Sequence, residues 1–381
     1  MHDLVQNVKF KHPTKCPLQN TMKNHMKEMK RESKVYVAAD KTTNYYKVTP
    51  EKHNEMLMQN ITKEYKKTTE TALKKVDKED KKIASDLELE DRIYAFSKRD
   101  SFITIKDHKD NFENNTKCRL LNPAKSELGK VSQKILKRIV TSLKEKSKLN
   151  LWKNTQSVIN WFKDLESKSK LSFIQFDICE FYRNISEALL KAALNYAKRY
   201  EKITAEEMKI ILQTKKAFLF NKGNPWIKKG NKLFDVTMGS WDGAEVCELV
   251  GLFLLSQLSE LHLVVGLYRD DGLAVCALKP RQVELIKKKL CRIFEENGFQ
   301  ITIEANVKSV NFLDINLNLE TGIFKPYTKP NETPLYVHKQ SDHPPSILKN
   351  IPMSVNTRLS SISANEDVFN QACPVPYTRM L

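Results

Sequence analysis

The chain has 381 residues, 40% of them hydrophobic, which suits a sizeable folded core and excludes a disordered polymer. Lys and Arg number 64 against 46 Asp and Glu, a formal charge of +18 that points to a polyanionic partner. Seven scattered cysteines without a C-x-x-C pair argue against a disulfide framework or structural zinc.

The N-terminus lacks the apolar run of a secretory signal. The longest apolar stretch, from Glu248, is broken by Ser, Gln, Glu and His and reads as a buried helix followed by a strand, so no membrane partner is expected. An intracellular protein with free thiols is the expectation.

Residues 1–85 read as a basic, helical N-terminal region, with Thr49 as N-cap and Pro50 as the first residue of a helix. Residues 86–322 form the next block. SFITIKDHK and CRLLNP predict a hairpin carrying Lys106, Lys109 and Arg119, and GKVSQKILKRIV predicts an amphipathic helix. LSFIQFD predicts a strand ending on Asp177. A helix capped by Ser186 and another opened by a Thr204/Glu207 capping box follow.

MGSWDGAEVCELVGLFLLSQL gives a Gly-rich turn and a buried helix, and GLYRDDGLAV gives a hairpin. A helix from Pro280 stops at Gly298; FQITIE and FLDINLNL close the block as strands. This order matches a split βαβ, ferredoxin-like α+β sheet with helices on one face. Residues 323–381, Pro-rich and then polar, read as an appended lobe.

The Asp-Gly of the hairpin can be a plain surface turn. The alternative is chemical. In a split βαβ sheet the first strand neighbours the central hairpin, so Asp177 would lie beside Asp270 and Asp271. Three carboxylates at one point repel unless cations neutralise them. Oxygen ligands with open positions suit Mg²⁺, and two such ions can clamp an in-line phosphoryl transfer.

FDICEFY, MGSWDGAEVCELVGL, GLYRDDG and NFLDINL, in this order, resemble motifs A, B, C and E of reverse transcriptases. Their wording is similar to that of Penelope-like retroelements, as are VYVAADKTTNYYKV, SFITIKDHKDNF, CRLLNPAKSELGKVSQKIL and PYTKPNETPLYVHKQSDHPPSILKNIP. The resemblance covers roughly residues 35–370. It implies a right-hand polymerase of fingers, ferredoxin-like palm and partial thumb, acting on an RNA template and DNA primer with dNTPs.

In that family's terms Asp177, Asp270 and Asp271 would hold two Mg²⁺, and the Ile178 backbone would lie beside the incoming triphosphate. Tyr182 matches the steric gate against a ribose 2′-OH. Lys106 and Arg119 would neutralise the triphosphate, and Gly239 and Gly243 would admit the templating base pair. Lys308 would be the candidate for the motif D lysine that protonates pyrophosphate, and Phe312, Leu313 and Asp314 match the primer grip.

Trp241-Asp242-Gly243 and Arg269 depart from the commoner retroviral-type wording. The sequence stops within the expected thumb, without the GIY-YIG endonuclease of many family members. Two rival readings stand beside a reverse transcriptase: an RNA-dependent RNA polymerase, against which Tyr182 argues, and an inactive relic that only binds RNA or DNA. A retroelement enzyme implies work in the nucleus; the oligomeric state is left open.

Overall fold

The computed structural model describes residues 17–42, 44–90, 98–107, 112, 114–230, 233–328 and 345–373, and Lys109 lies outside them. In chain order, helix α1 (Pro17–Arg31) precedes strands β1 (Val35–Ala38) and β2 (Tyr45–Val48), helix α2 (Pro50–Glu64), β3 (Tyr65–Lys67) and α3 (Glu70–Asp86). Next come β4 (Phe102–Ile105), β5 (Cys118–Leu121), α4 (Leu128–Ser147), β6 (Asn150–Leu151) and α5 (Thr155–Asp164).

Strand β7 (Ser172–Ile178) leads into α6 (Phe181–Asn184), α7 (Glu187–Ala197), α8 (Ala205–Gln213), β8 (Leu219–Asn221) and β9 (Asn224–Lys228). Helix α9 (Gly243–Leu258), strands β10 (Val264–Tyr268) and β11 (Asp271–Cys276), α10 (Pro280–Glu296) and β12 (Ile301–Val307) follow. Then come β13 (Ser309–Phe312), β14 (Ile315–Asn318), β15 (Phe324–Pro326), α11 (Pro345–Ser361) and α12 (Glu366–Ala372).

The chain divides into two compact units. The smaller comprises Met1–Asn60, Ile103–Arg119 and Tyr336–Leu348. There β1 and β2 pair as a hairpin, and Ala39 bridges Ile105 in parallel. The Asp107 carboxylate accepts hydrogen bonds from Thr42 Oγ1 at 2.5 Å, Asn44 Nδ2 at 3.0 Å and Tyr46 Oη at 2.9 Å. A carboxylate with several donors holds its loops in one arrangement. The expected cap at Thr49 is present, its hydroxyl accepting from Lys52 N at 3.2 Å.

The larger unit comprises Ile61–Phe102, Leu120–Leu335 and Lys349–Leu381. Its centre is a five-stranded sheet in the order β12-β7-β11-β10-β6. Counting β7, β10, β11 and β12 as strands 1 to 4, the first four positions follow the 4-1-3-2 ferredoxin-like order expected from the sequence. β6 adds to the β10 edge in parallel. The Thr204/Glu207 capping box and the Ser186 cap are both formed.

One face of the sheet packs Ile174, Phe176, Ile178, Ala274 and Leu267 against α4, α7, α9 and α10. The expectation of helices on one face needs a correction, because the other face is also covered in part. Phe173, Leu273 and Val275 pack there against α5, Trp152 and the small sheet β13-β14-β15. In SFIQFDI, Phe173, Ile174, Phe176 and Ile178 are buried and Asp177 alone is exposed.

FLDINLNL is not one strand. Leu313 takes a left-handed backbone, φ 55°, and splits it into the hairpin β13–β14. Among the described residues no helix is long and apolar enough to cross a membrane.

Candidate active site

The register of the central sheet brings the key carboxylates together. Asp271 is the direct cross-strand partner of Asp177, and their neighbours on the same rung are Thr302 and Tyr268. Directly opposed residues project from the same face with Cα atoms about 4.5–5.5 Å apart. Asp270 occupies the adjoining turn, where its carbonyl accepts the Ile178 N–H at 2.9 Å. Asp177 and Asp270 are exposed and Asp271 is half-buried, so this rung stays open to solvent where the rest of its face is packed.

The turn differs from the expected Asp-Gly geometry. Its two central residues are Arg269, at φ 56°, and Asp270, while Asp271 and Gly272 already belong to β11. Gly272 is there for space: a Cβ on it would lie 2.1 Å from the Phe176 ring. Gly266, at the other end of the motif, similarly receives Trp152, 2.3 Å from where its Cβ would be.

The donor set is all oxygen, carried by aspartates at a solvent-open rim, and it fits Mg²⁺, which retains waters and prefers such ligands. Among the described residues no three His, Cys, Asp or Glu side chains are gathered into a metal-holding cluster. The backbone thus places the three aspartates together without drawing their side chains into one cage.

Tyr182, on α6, lies over the first turn of α9. Its Cε1 is 3.7 Å from where a Gly243 Cβ would stand, and its hydroxyl meets the Cys247 thiol one helical turn further on. Burial first, then this thiol, pushes the Tyr182 phenol above its ordinary value, with Arg269 and Asp270 near enough to act on it in opposite directions. Burial likewise pushes the Cys247 thiol up. Tyr182, Gly243 and the Arg269–Asp270 turn therefore form one neighbourhood.

Gly239 has φ 114°, and a Cβ on it would meet the Asn122 carbonyl at 2.9 Å, a position only glycine tolerates. The close backbone approach is thus to Asn122. The ammonium groups of Lys125 and Lys130 lie over the Trp241 ring, 3.8 Å and 4.7 Å from its centroid.

Other expected site residues fall elsewhere. Lys308 donates to the carbonyls of Ser169 at 2.8 Å and Leu171 at 2.6 Å, before the start of β7. Asp177 stands six residues beyond Leu171, roughly 20 Å along an extended strand. Lys308 therefore ties down the entry to β7, which corrects its assignment to pyrophosphate. The Ile178 N–H is committed to the Asp270 carbonyl.

Phe312 is buried and packs edge-on against Trp152 at 5.5 Å, so its side chain is core and not a primer contact. In the half-buried β13–β14 turn Asp314 accepts from Thr155 Oγ1 and from Arg358 Nη2 at 2.9 Å. In the smaller unit, Arg119 pairs with the buried Asp40 at 3.1 Å, and Lys106 follows β4 with its N–H on the Lys117 carbonyl.

Sequence reasoning missed two lysine–aspartate pairs inside the larger unit. Lys215 and Asp242, 0% and 1% exposed, form a buried ion pair, and Ser132 and Thr214 hydroxyls also donate to Asp242. Lys228 binds Asp235 at 3.0 Å and the carbonyl of Arg183, next to Tyr182. Neither spacing has a periodicity that would reveal it.

No protein-family model and no curated protein sequence matches the chain. Solved structures do. Apo telomerase from Candida tropicalis, truncated from its C-terminal domain, aligns at 12% identity over 79% of this chain and 65% of that one, TM-score 0.56. Candida albicans telomerase with a TWJ fragment of telomeric RNA aligns at 9% identity over 86% and 56%, TM-score 0.59. The corresponding Candida tropicalis complex aligns at 10% identity over 93% and 62%, TM-score 0.59. The chain spans about 56–65% of the length of these telomerases. With its 4-1-3-2 sheet and carboxylate-bearing rung, the chain has the fold of a right-hand polymerase.

Proposed function

We propose that the chain is an RNA-directed DNA polymerase of a Penelope-like retroelement, extending a primer 3′-OH with dNTPs. The observation that carries this reading is the Asp177–Asp271 rung with Asp270 in the turn beside it and Tyr182 close by.

In the reaction the primer 3′ oxygen attacks the α-phosphorus of the nucleotide, and the bond to the β-phosphate oxygen breaks to release pyrophosphate. Mg²⁺ held by Asp177, Asp270 and Asp271 would neutralise phosphate charge and favour the ionised 3′ oxygen. Tyr182 supports the sugar and excludes a 2′-hydroxyl. Trp241 with Lys125 and Lys130 offers a cationic, aromatic surface to the nucleic acid. The charge of +18 suits a groove that follows an RNA–DNA hybrid regardless of sequence. A retroelement enzyme of this kind would act in the nucleus, on chromosomal DNA.

The test is primer extension on poly-A RNA with oligo-dT, dTTP and Mg²⁺, wild type against Asp270→Ala. Extension that disappears in the variant supports the reading. Retained hybrid binding without extension by either protein would make the chain a nucleic-acid-binding relic. Extension with ribonucleotides at equal efficiency would make it an RNA polymerase.

A further inference from the structure

The Asp242 of the Trp-Asp-Gly motif has no part in the chemistry above, yet its burial is unusually costly. A fully buried lysine–aspartate pair gives up hydration that its mutual attraction barely repays, and apolar groups of similar size often serve stability as well. Such a pair is best explained by the geometry it imposes. Lys215 is placed to impose one. Its carbonyl accepts the Asp235 N–H at 2.9 Å while its ammonium binds the Asp242 carboxylate. One residue thus holds both ends of the segment 235–242.

The rest of that segment is fixed from the sides. Gly239 is seated against the Asn122 carbonyl, Ser132 of α4 and Thr214 after α8 donate to Asp242, and Gly243 abuts Tyr182. At the opposite end Asp235 is bound by Lys228, whose ammonium also reaches the carbonyl of Arg183, and by the Tyr65 hydroxyl at 2.7 Å. The segment is therefore tied at both ends, by the buried Lys215 ammonium and by the partly buried Lys228 ammonium, which also reaches the residue after Tyr182.

We propose that Lys215 and Asp242 are positioning residues that hold the 235–242 segment rigid against Tyr182, and so set nucleotide affinity and sugar selectivity. The proposal rests on the polymerase reading. Lys215 touches no substrate; it acts through Gly243 and the segment before it.

The test uses Lys215→Met/Asp242→Asn, which removes both charges together, keeps an acceptor for Ser132 and Thr214, and leaves no lone buried ion. Hydrogen exchange is measured first on the full chain without substrate. Amides 237–243 should exchange at least about tenfold faster in the double variant, with β7 and β11 amides unchanged. In primer extension the dTTP KM should rise about tenfold and discrimination against UTP fall by a similar factor, with kcat falling less.

Unchanged exchange in 237–243, or wild-type KM and discrimination in a folded double variant, would overturn the proposal. If the wild type extends no primer, the polymerase reading fails, while the exchange result still decides whether the clamp exists. Should the double variant not fold, Lys228→Met/Asp235→Asn probes the other end of the segment, with the same exchange and selectivity outcomes expected.

Discussion

Asp177 and Asp271 face each other on one rung of the central sheet. Like charges placed directly opposite in an antiparallel pair destabilise it, typically by about 0.2–1 kcal/mol. Asp271→Asn should therefore raise the metal-free melting temperature by roughly 1–3 °C while abolishing primer extension. Calorimetry with and without Mg²⁺ checks this: Mg²⁺ should stabilise the wild type more than the variant.

Gly272 tests the packing behind that rung. An added methyl would sit 2.1 Å from the Phe176 ring, which is buried and lies 5.3 Å from Phe294. Gly272→Ala should cost about 1–3 kcal/mol by overpacking. Urea unfolding measures it; a wild-type midpoint would show that the ring can move aside.

Tyr182→Ala should increase ribonucleotide incorporation at least about tenfold relative to deoxynucleotides, because the ring that crowds a 2′-hydroxyl is gone. Competition between UTP and dTTP in primer extension reads this directly. The same residue predicts a pH effect. Its phenol is held above the ordinary value, so the folded protein keeps the proton where the unfolded chain releases it. Its contribution to stability is complete below about pH 10 and is lost as pH rises toward the folded value. Tyr182→Phe should lose less stability than wild type between pH 9 and 11 in parallel urea titrations.

Lys308→Met should leave the catalytic rate within about threefold of wild type and lower stability by about 1–2 kcal/mol, since it removes two hydrogen bonds to backbone carbonyls. Single-turnover extension combined with urea unfolding separates the two effects. A large loss of rate with full stability would restore the lysine to the chemistry.

Binding to an RNA–DNA hybrid should weaken by about 10³-fold between roughly 50 and 200 mM salt if several phosphates are contacted. Fluorescence anisotropy on two unrelated hybrid sequences should give the same slope for both.

The ferredoxin-like sheet, the capping box at Thr204 and the meeting of Asp177 with Asp271 were legible, because cap spacing is a local signal and the strand–helix order of a split βαβ sets its first strand beside the central hairpin. Other features were hidden for physical reasons. Lys215 and Asp242 are 27 positions apart and meet only through the folded chain. Gly272 looks like a turn residue in sequence, and only the Phe176 ring reveals why glycine stands there. Lys308 has the right place in the motif order, but β12 runs antiparallel to β7, from Ile301 beside Ile178 to Val307 beside Phe173, and carries it to the end of the sheet away from Asp177. Leu313 breaks an alternating run with a backbone conformation that nothing in leucine advertises.

The paired glycines around the YRDD motif make the hairpin keyed. Trp152 fits only over Gly266 and Phe176 only over Gly272, and both notches are fixed in the chain on either side of the aspartates. A slip of one residue would bring a side chain under each ring and at the same time carry Asp271 off its rung. Misaligned acids and a jammed core are therefore a single error. The register that sets Asp177 opposite Asp271 is thus tied to the size of two aromatic rings.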